Sequence, residues 1–411
     1  MLVDPFALLD HARRHGYAVG AYDLIDTTML DGILRGGEAA RAPLILSVAE
    51  VHTHQFDEAS LLAAVVTAAD ASPLPIAIHY DHGSTIERLT KATQLGYTSL
   101  MYDGSHLPWD ENVAATRAAA QLAHRVGMPL EGEIGYVPGQ EGIDSELHPG
   151  PIQYTDPDEA RAFVAATECN WLAVSIGTVH GRLRDAPALD FARLAAIRAA
   201  LPETPLVIHG GTGLTDEEYR NLVAAGANKI NYYTALVEAA AAAAQGAWRW
   251  EAIREAAISA IAAEVVRTST LWGAAGQAEA VLAYAAPLRP VEHVIFHRWA
   301  EGAPEVEAMQ QLGVATLGKL PGVRRIAAGT ALTAQSPYPY LWTMTFANQQ
   351  ALAAFRADEH HVQFADTHFR PWATNRVTID FILTFGRGPC VTPRSLPPSA
   401  QPVATAPRWK G

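Results

Sequence analysis

Pro75-Ile76-Ala77-Ile78-His79-Tyr80-Asp81-His82-Gly83 is the stretch on which the fold turns. Its apolar first half reads as a buried parallel strand, and two imidazoles and a carboxylate stand where that strand ends. Side chains alternate along a strand, so His79 and Asp81 point one way while His82 leaves the ladder toward the next loop. The cluster suits metal chemistry. Taken alone it reads equally well as a core histidine beside a helix N-cap, and the other strand ends decide between the two.

Upstream, Ala18–Tyr22 and Leu44–Val48 are strand-like, separated by the helical pattern Thr28–Arg41, and Asp4–Arg14 reads as a short amphipathic helix. Downstream come Ser99–Tyr102, Leu130–Ile134, Trp171–Ile176, Leu206–Ile208 and Lys229–Tyr233, with Gly96, Gly127 and Gly226 closing helices between strands. Eight short apolar strands alternating with helix-length stretches over about 250 residues predict an α/β fold, a (β/α)8 TIM barrel. The rival, a doubly wound open sheet, wants Gly-x-Gly-x-x-Gly after the first strand, and none is there.

In such a barrel the polar residues at strand ends converge on one face. Here the ends carry Asp23, Ser47, Asp81-His82, Asp103, Glu131 and Glu133, His180, His209-Gly210-Gly211-Thr212-Gly213, and Asn231 with Thr234. Singly, Asp23 or Ser47 reads as an N-cap or a loop residue. Collectively, His82, His180 and His209 each follow an apolar strand, and three imidazoles with an open fourth position describe a catalytic zinc site. The backbone N–H groups after His209 suit a phosphate, as do side-chain donors on Asn231 and Thr234. The long loop from Gly135 to Gly150, rich in Gly and Pro, reads as an active-site lid carrying Glu141 as a base.

At 411 residues the chain exceeds one ordinary core, so a second, smaller domain is expected. A net charge of −13 disfavours a nucleic-acid or anionic-membrane partner and leaves a small metabolite. Asp4, Asp10, Arg13 and Arg14 break up the apolar N-terminus, unlike a signal peptide, and no run is long enough to span a bilayer. Cys169 and Cys390, far apart, form neither a disulfide framework nor a cysteine zinc cluster. A cytoplasmic address is expected.

The series His-x-Asp-His-Gly, Glu-x-Glu-Ile-Gly with Gly-Gln-Glu, Gly-Thr-x-His-Gly, His-Gly-Gly-Thr-Gly and Asn-x-x-Thr resembles the class II, metal-dependent fructose-bisphosphate and tagatose-bisphosphate aldolases over residues 1–285. The resemblance implies His82, His180 and His209 as ligands of a catalytic Zn2+. It implies Asp81 as the acid or base at the aldehyde-derived hydroxyl and Glu141 as the group exchanging the proton on the ketose carbon. Asp103 and Glu133 would line a second cation position. Gly181, Gly210, Gly211, Thr212, Asn231 and Thr234 would hold the phosphate of dihydroxyacetone phosphate, with Asp23 and Ser47 completing the substrate site. Such an enzyme cleaves a carbon–carbon bond through a zinc-stabilised enediolate and needs no lysine Schiff base. Lys229 would then start strand eight beneath the site.

Two departures bear on substrate. Gly-Ala-Tyr-Asp stands where relatives read Gly-Ala-Phe-Asn, so Asp23 would repel a phosphate. After strand eight, Asn231-Tyr232-Tyr233-Thr234-Ala235 loses an acid and gains bulk. Arg249, Arg254 and Arg267 are the candidates left for a second phosphate. The donor fragment is therefore expected to be phosphorylated and the aldehyde not to be the standard triose phosphate.

Beyond the linker Ala-Pro-Leu-Arg-Pro, the order Glu292–Arg298 strand, Glu305–Leu320 helix, Val323–Ala328 and Tyr340–Phe346 strands, Asn348–Arg356 helix and Val377–Leu383 strand predicts a small α+β unit over residues 291–385. It resembles the stress-responsive dimeric α+β barrel domains of the ferredoxin-like class, which implies a homodimer or tetramer. His293, His297, His360, His361 and His368 are candidates for a second site there. The proline-rich residues 386–411 read as disordered. Two rivals remain in view: a zinc hydrolase on the same barrel, which wants a His-x-His on the first strand where Tyr22-Asp23 supplies none, and a non-catalytic oligomerising scaffold, which would not need Asp81, Glu141 and all three histidines.

Overall fold

In a computed structural model, residues 1–139, 152–181, 189–333 and 335–384 are described. Glu141, most of the loop that carries it, Cys390 and the proline-rich tail lie outside them.

Eight parallel strands close into a barrel: β1 (Val19–Asp23), β2 (Leu44–Ala49), β3 (Ile76–Gly83), β4 (Ser99–Tyr102), β5 (Leu130–Ile134), β6 (Trp171–Val174), β7 (Leu206–Ile208) and β8 (Ala227–Tyr232), with β8 paired back onto β1. Nearly every strand residue is buried, as expected of strands covered by helices outside and filled inside. Helix starts fix the mouth end. Asp26 caps Thr27–Ala40 through the Met29 N–H, Thr85 caps Ile86–Leu95 through Arg88, and Thr215 with Glu218 forms a capping box at Asp216–Ala224. The long helix Trp250–Leu271 lies against Thr27–Ala40, where Gly32 and Gly36 leave room for Ile261 and Val265.

The barrel interior changes character along its axis. Val19, Ala21, Ile45, Ala77, Trp171, Ala173 and Val207 make an apolar plug toward the strand starts, closed from below by the helix Pro5–His15. Above it His79, Glu131 and Lys229, all buried, replace the branched apolar residues usual in this fold. Higher still come Asp23, Asp81, Glu133, His209 and Asn231.

The second unit has β9 (Val291–Trp299), β10 (Val323–Thr330), β11 (Tyr340–Phe346) and β12 (Ala373–Ile382) in one antiparallel sheet of order β10-β11-β9-β12, with helices Val306–Leu317 and Gln349–Ala357 in the predicted places. Its βαββαβ order is ferredoxin-like. The short helix Glu359–Phe364 and the π-helical turn Ala365–Phe369, absent from the sequence reading, lead into β12. This unit seats on the barrel where strands begin. The Gly322 N–H donates to Thr93 Oγ1 at 2.9 Å, Gln94 donates to the Leu320 carbonyl, and Asn348 and Gln350 donate to the Val126 and His124 carbonyls. These barrel residues end helices that run away from the mouth, so the small domain is seated opposite the site, and among the described residues it adds no group to it.

Candidate metal centre

A bulge builds the first part of the site. The β3–β4 register slips between Tyr80 and Gly83, and His82 takes φ +51°, so the consecutive side chains of Asp81 and His82 both reach the mouth. Gly83 is required there, since a Cβ would lie 2.5 Å from the Met101 carbonyl. His209 stands at the end of β7 and His180 in the loop after β6.

The three imidazoles converge. Ring centroids are 4.7 Å apart for His82–His209, 5.1 Å for His82–His180 and 5.6 Å for His180–His209, and one ring nitrogen from each lies within 4.8 Å of the others. His82 Nδ1 donates to Asp103 Oδ2 at 2.9 Å and His209 Nε2 donates to Glu131 Oε1 at 2.9 Å. A carboxylate only accepts, so these bonds leave His82 Nε2 and His209 Nδ1 as bare lone pairs in the neutral rings. Those two nitrogens face each other at 3.1 Å. Such a contact requires a positive charge, and a metal ion with histidine ligands oriented by carboxylates supplies it. Without metal a proton does so: burial disfavours it, but Asp81 and Asp103 outweigh burial and hold the His82 pKa well above its ordinary value. The donor set therefore fits a divalent cation with nitrogen ligands.

Carboxylates surround this centre. Glu133 Oε2 is buried without a hydrogen bond, 3.8 Å from His209 Nδ1, and with His82 and Asp103 forms a second group of convergent ligands. Burial, reinforced by Asp103, pushes the Glu133 carboxyl well up. Asp103 is held low, because bonds from His82 and Ser105 outweigh burial. Asp81 is fully buried and accepts from Asn231 Nδ2 at 3.2 and 3.0 Å. Burial raises its pKa, but His82, His79 and Lys229 together hold it well below the usual range.

The other expected residues fall as follows. Gly210 (φ +67°) and Gly211 pass under the loop after β6 and beside β8, and a Cβ on Gly211 would lie 2.7 Å from the Asn231 carbonyl. Thr212 Oγ1 accepts from the Ala235 N–H, Thr234 opens the helix Thr234–Ala243, and Gly181 has φ +73°. Asp23 and Ser47, partners in the β1–β2 register, are buried side by side. Tyr233 packs on His52, their rings 4.6 Å apart, across the top of β1. Arg254 is paired with Asp31, and Arg267 with Glu264 and Asp216. In the small domain His293 and His297 are buried between sheet and helices and His361 is half-buried, whereas His360 and His368 are exposed.

Sequence reasoning passed over the linked roles of three residues: His79, hydrogen-bonded to Ser99 at 2.9 Å, Glu131, and Lys229, whose Nζ lies 2.8 Å from Glu131 Oε2 and 2.7 Å from Asn231 Oδ1. The available signal was inward polarity in strand interiors, Glu131 and Lys229 lying in phase with the apolar plug.

A closed (β/α)8 barrel whose mouth joins three imidazoles to a ring of carboxylates is a metal-dependent enzyme architecture. Comparison with known families gives the lineage: residues 4–277 match fructose-bisphosphate aldolase class-II and residues 291–383 match the stress responsive A/B barrel domain, so the chain belongs to the class II aldolase family, a family of lyases. It is 37% identical over 236 residues to a probable fructose-bisphosphate aldolase of Bacillus subtilis, covering 57% of this chain and 81% of that one. It is 34% identical over 231 residues to a 6-phospho-5-dehydro-2-deoxy-D-gluconate aldolase of Shouchella clausii, covering 55% and 77%. Among solved structures, the YdjI aldolase of Escherichia coli K12 superposes with a TM-score of 0.62 at 30% identity, covering 68% of this chain and 100% of that one.

Proposed function

We propose that this enzyme cleaves and forms a carbon–carbon bond between a dihydroxyacetone phosphate donor and an aldehyde other than the standard triose phosphate. The observation that carries the reading is the facing pair of bare nitrogens on His82 and His209, with His180 beside them. His82, His180 and His209 would hold Zn2+, and Asp103 and Glu133 a second cation position. When bound, the ion supplies Lewis-acid stabilisation of the negative charge that develops on the donor during cleavage.

The chain's own residues do the rest. Asp81, ionised and fixed by Asn231, takes the proton of the substrate hydroxyl in cleavage and returns it in synthesis. Glu141, outside the described residues, exchanges the proton on the donor carbon. The backbone at Gly181, Gly210 and Gly211, with Thr212 and Thr234, would receive the phosphate, while the side chain of Asn231, expected from sequence to join them, is already taken up by Asp81 and Lys229. The aldehyde end is read from Asp23 and Ser47: a buried carboxylate disfavours a second phosphate, and Arg254 and Arg267 are already paired.

The named aldolases it resembles support a phosphorylated sugar as substrate class. No described helix is long and apolar enough to cross a membrane, and a free buried Cys169 suits a reducing, cytoplasmic address. Assembly as a homodimer or tetramer is supported by the sheet face away from the small domain's helices, where Ile379 and Phe381 are 41% and 47% exposed. Steady-state assays of ketose phosphates with and without the second phosphate test the substrate reading. Solvent exchange of dihydroxyacetone phosphate protons is expected, and a strong preference for fructose 1,6-bisphosphate would overturn the aldehyde assignment.

A further inference from the structure

The geometry points to Lys229 as the positioning residue that sets both arms of the site at once, the metal ligand His209 and the carboxylate Asp81. This rests on the aldolase reading above and extends it to a group that touches no reacting atom.

Lys229 projects from β8 into the barrel and is 0% exposed. Its ammonium can only donate. One contact, 2.8 Å, is to Glu131 Oε2, and the other oxygen of that carboxylate accepts the His209 Nε2 proton at 2.9 Å. The second contact, 2.7 Å, is to Asn231 Oδ1, and the amide nitrogen of that side chain reaches both oxygens of Asp81. Each contact removes an ambiguity. An amide can sit in either of two orientations, but a donor at its oxygen forces the NH2 toward Asp81. The Lys229 contact holds one oxygen of the Glu131 carboxylate, which turns the other toward His209 Nε2. His209 then carries its proton on Nε2 and leaves Nδ1 bare toward His82. Two strands and two chemical roles are thus set from one buried charge.

The same contacts exclude the other use of an aldolase lysine. A Schiff base needs a neutral, accessible amine, and this nitrogen is sealed and ion-paired.

The test uses the full chain and Co2+ as the probe. Lys229→Met removes the hub but strands the Glu131 charge, which carries a risk of unfolding, so Lys229→Met with Glu131→Gln is made beside it; removing both members of a buried pair is far better tolerated than removing one. Co2+ affinity by chelator competition and the visible ligand-field spectrum are measured on every variant that folds. The expected result is affinity lower by roughly 10- to 100-fold, as for lost orienting partners of metal ligands, with a changed spectrum. In the double variant this loss accompanies a melting temperature close to that of the wild type. Wild-type affinity and spectrum in a folded variant of either kind would overturn the assignment of Lys229. Failure of the wild-type chain itself to bind Co2+ would instead overturn the metal-centre reading beneath it.

Discussion

Asp103→Asn is nearly isosteric, yet the hydrogen bonds around Asp103 leave an amide no good orientation there. One oxygen of Asp103 accepts from the Ser105 N–H and hydroxyl, and the other accepts from His82 Nδ1. If the substituted amide keeps its oxygen toward Ser105, its NH2 meets the His82 Nδ1–H, and the imidazole must shift its proton to Nε2. That nitrogen is then no longer a ligand. If the amide flips, the NH2 is set against the Ser105 N–H, and His82 keeps only a neutral hydrogen bond. A bond to a charged group contributes about 1.5–3 kcal/mol and a neutral one about 0.5–1.5, so the milder outcome costs about 1–1.5 kcal/mol, roughly tenfold in metal affinity. The tautomer switch pushes the loss toward roughly 100-fold, the upper end for orienting partners of histidine ligands. Competition against a chromophoric chelator measures this directly, with melting of the metal-free protein as the control for folding. Unchanged affinity in a well-folded Asp103→Asn protein would refute the claim that Asp103 sets the tautomer of His82.

Gly210→Ala is expected to weaken the phosphate loop. Its φ of +67° costs an L-residue roughly 1–2 kcal/mol, and a Cβ would collide with the Val179 carbonyl; KM should rise for dihydroxyacetone phosphate and stay near wild type for unphosphorylated dihydroxyacetone. The small domain should be acid-labile, because burial lowers the pKa of His293, His297 and His361 below the ordinary 6.5, for His293 despite its bond to Asp380. With folded values depressed, the unfolded chain binds more protons below pH 6.5, so stability is present above that value and falls as the pH drops. The three together contribute at most about 4 kcal/mol per pH unit, and melting curves from about pH 7.5 to 5.5 should show the loss flattened by His297→Gln. Phe381→Glu with Ile379→Lys should halve the mass found by sedimentation if the open sheet face joins two copies, and an unchanged mass would place assembly elsewhere.

The strands were legible because each is a short apolar run between turn residues, and β2, β4, β5 and β7 fall within one residue of their reading. The three histidines were legible because each follows such a run. What was not legible is how the strands speak to one another. Lys229 and Glu131 are far apart in sequence, and only closure of the barrel sets them 2.8 Å apart. Within a strand, a charged residue on the inward phase looks like an error until its partner is known. The segment Glu50–Gln55 escaped for a different reason. It is one short 3-10 stretch tied down by Glu50, which accepts from Tyr80, from the Ser84 backbone and from the Ser84 hydroxyl, and none of these long-range bonds has a local signature.

The seat of the small domain at the strand-start end separates two kinds of evolutionary freedom. Whatever the appended unit recruits or joins, its described residues are seated at the strand-start end of the barrel, so changes among them need not touch the groups that converge at the mouth. Conversely, loops at the mouth can be remodelled for new aldehydes without disturbing the contacts that hold the two units together, and a ligand designed against one end has no need to respect the other.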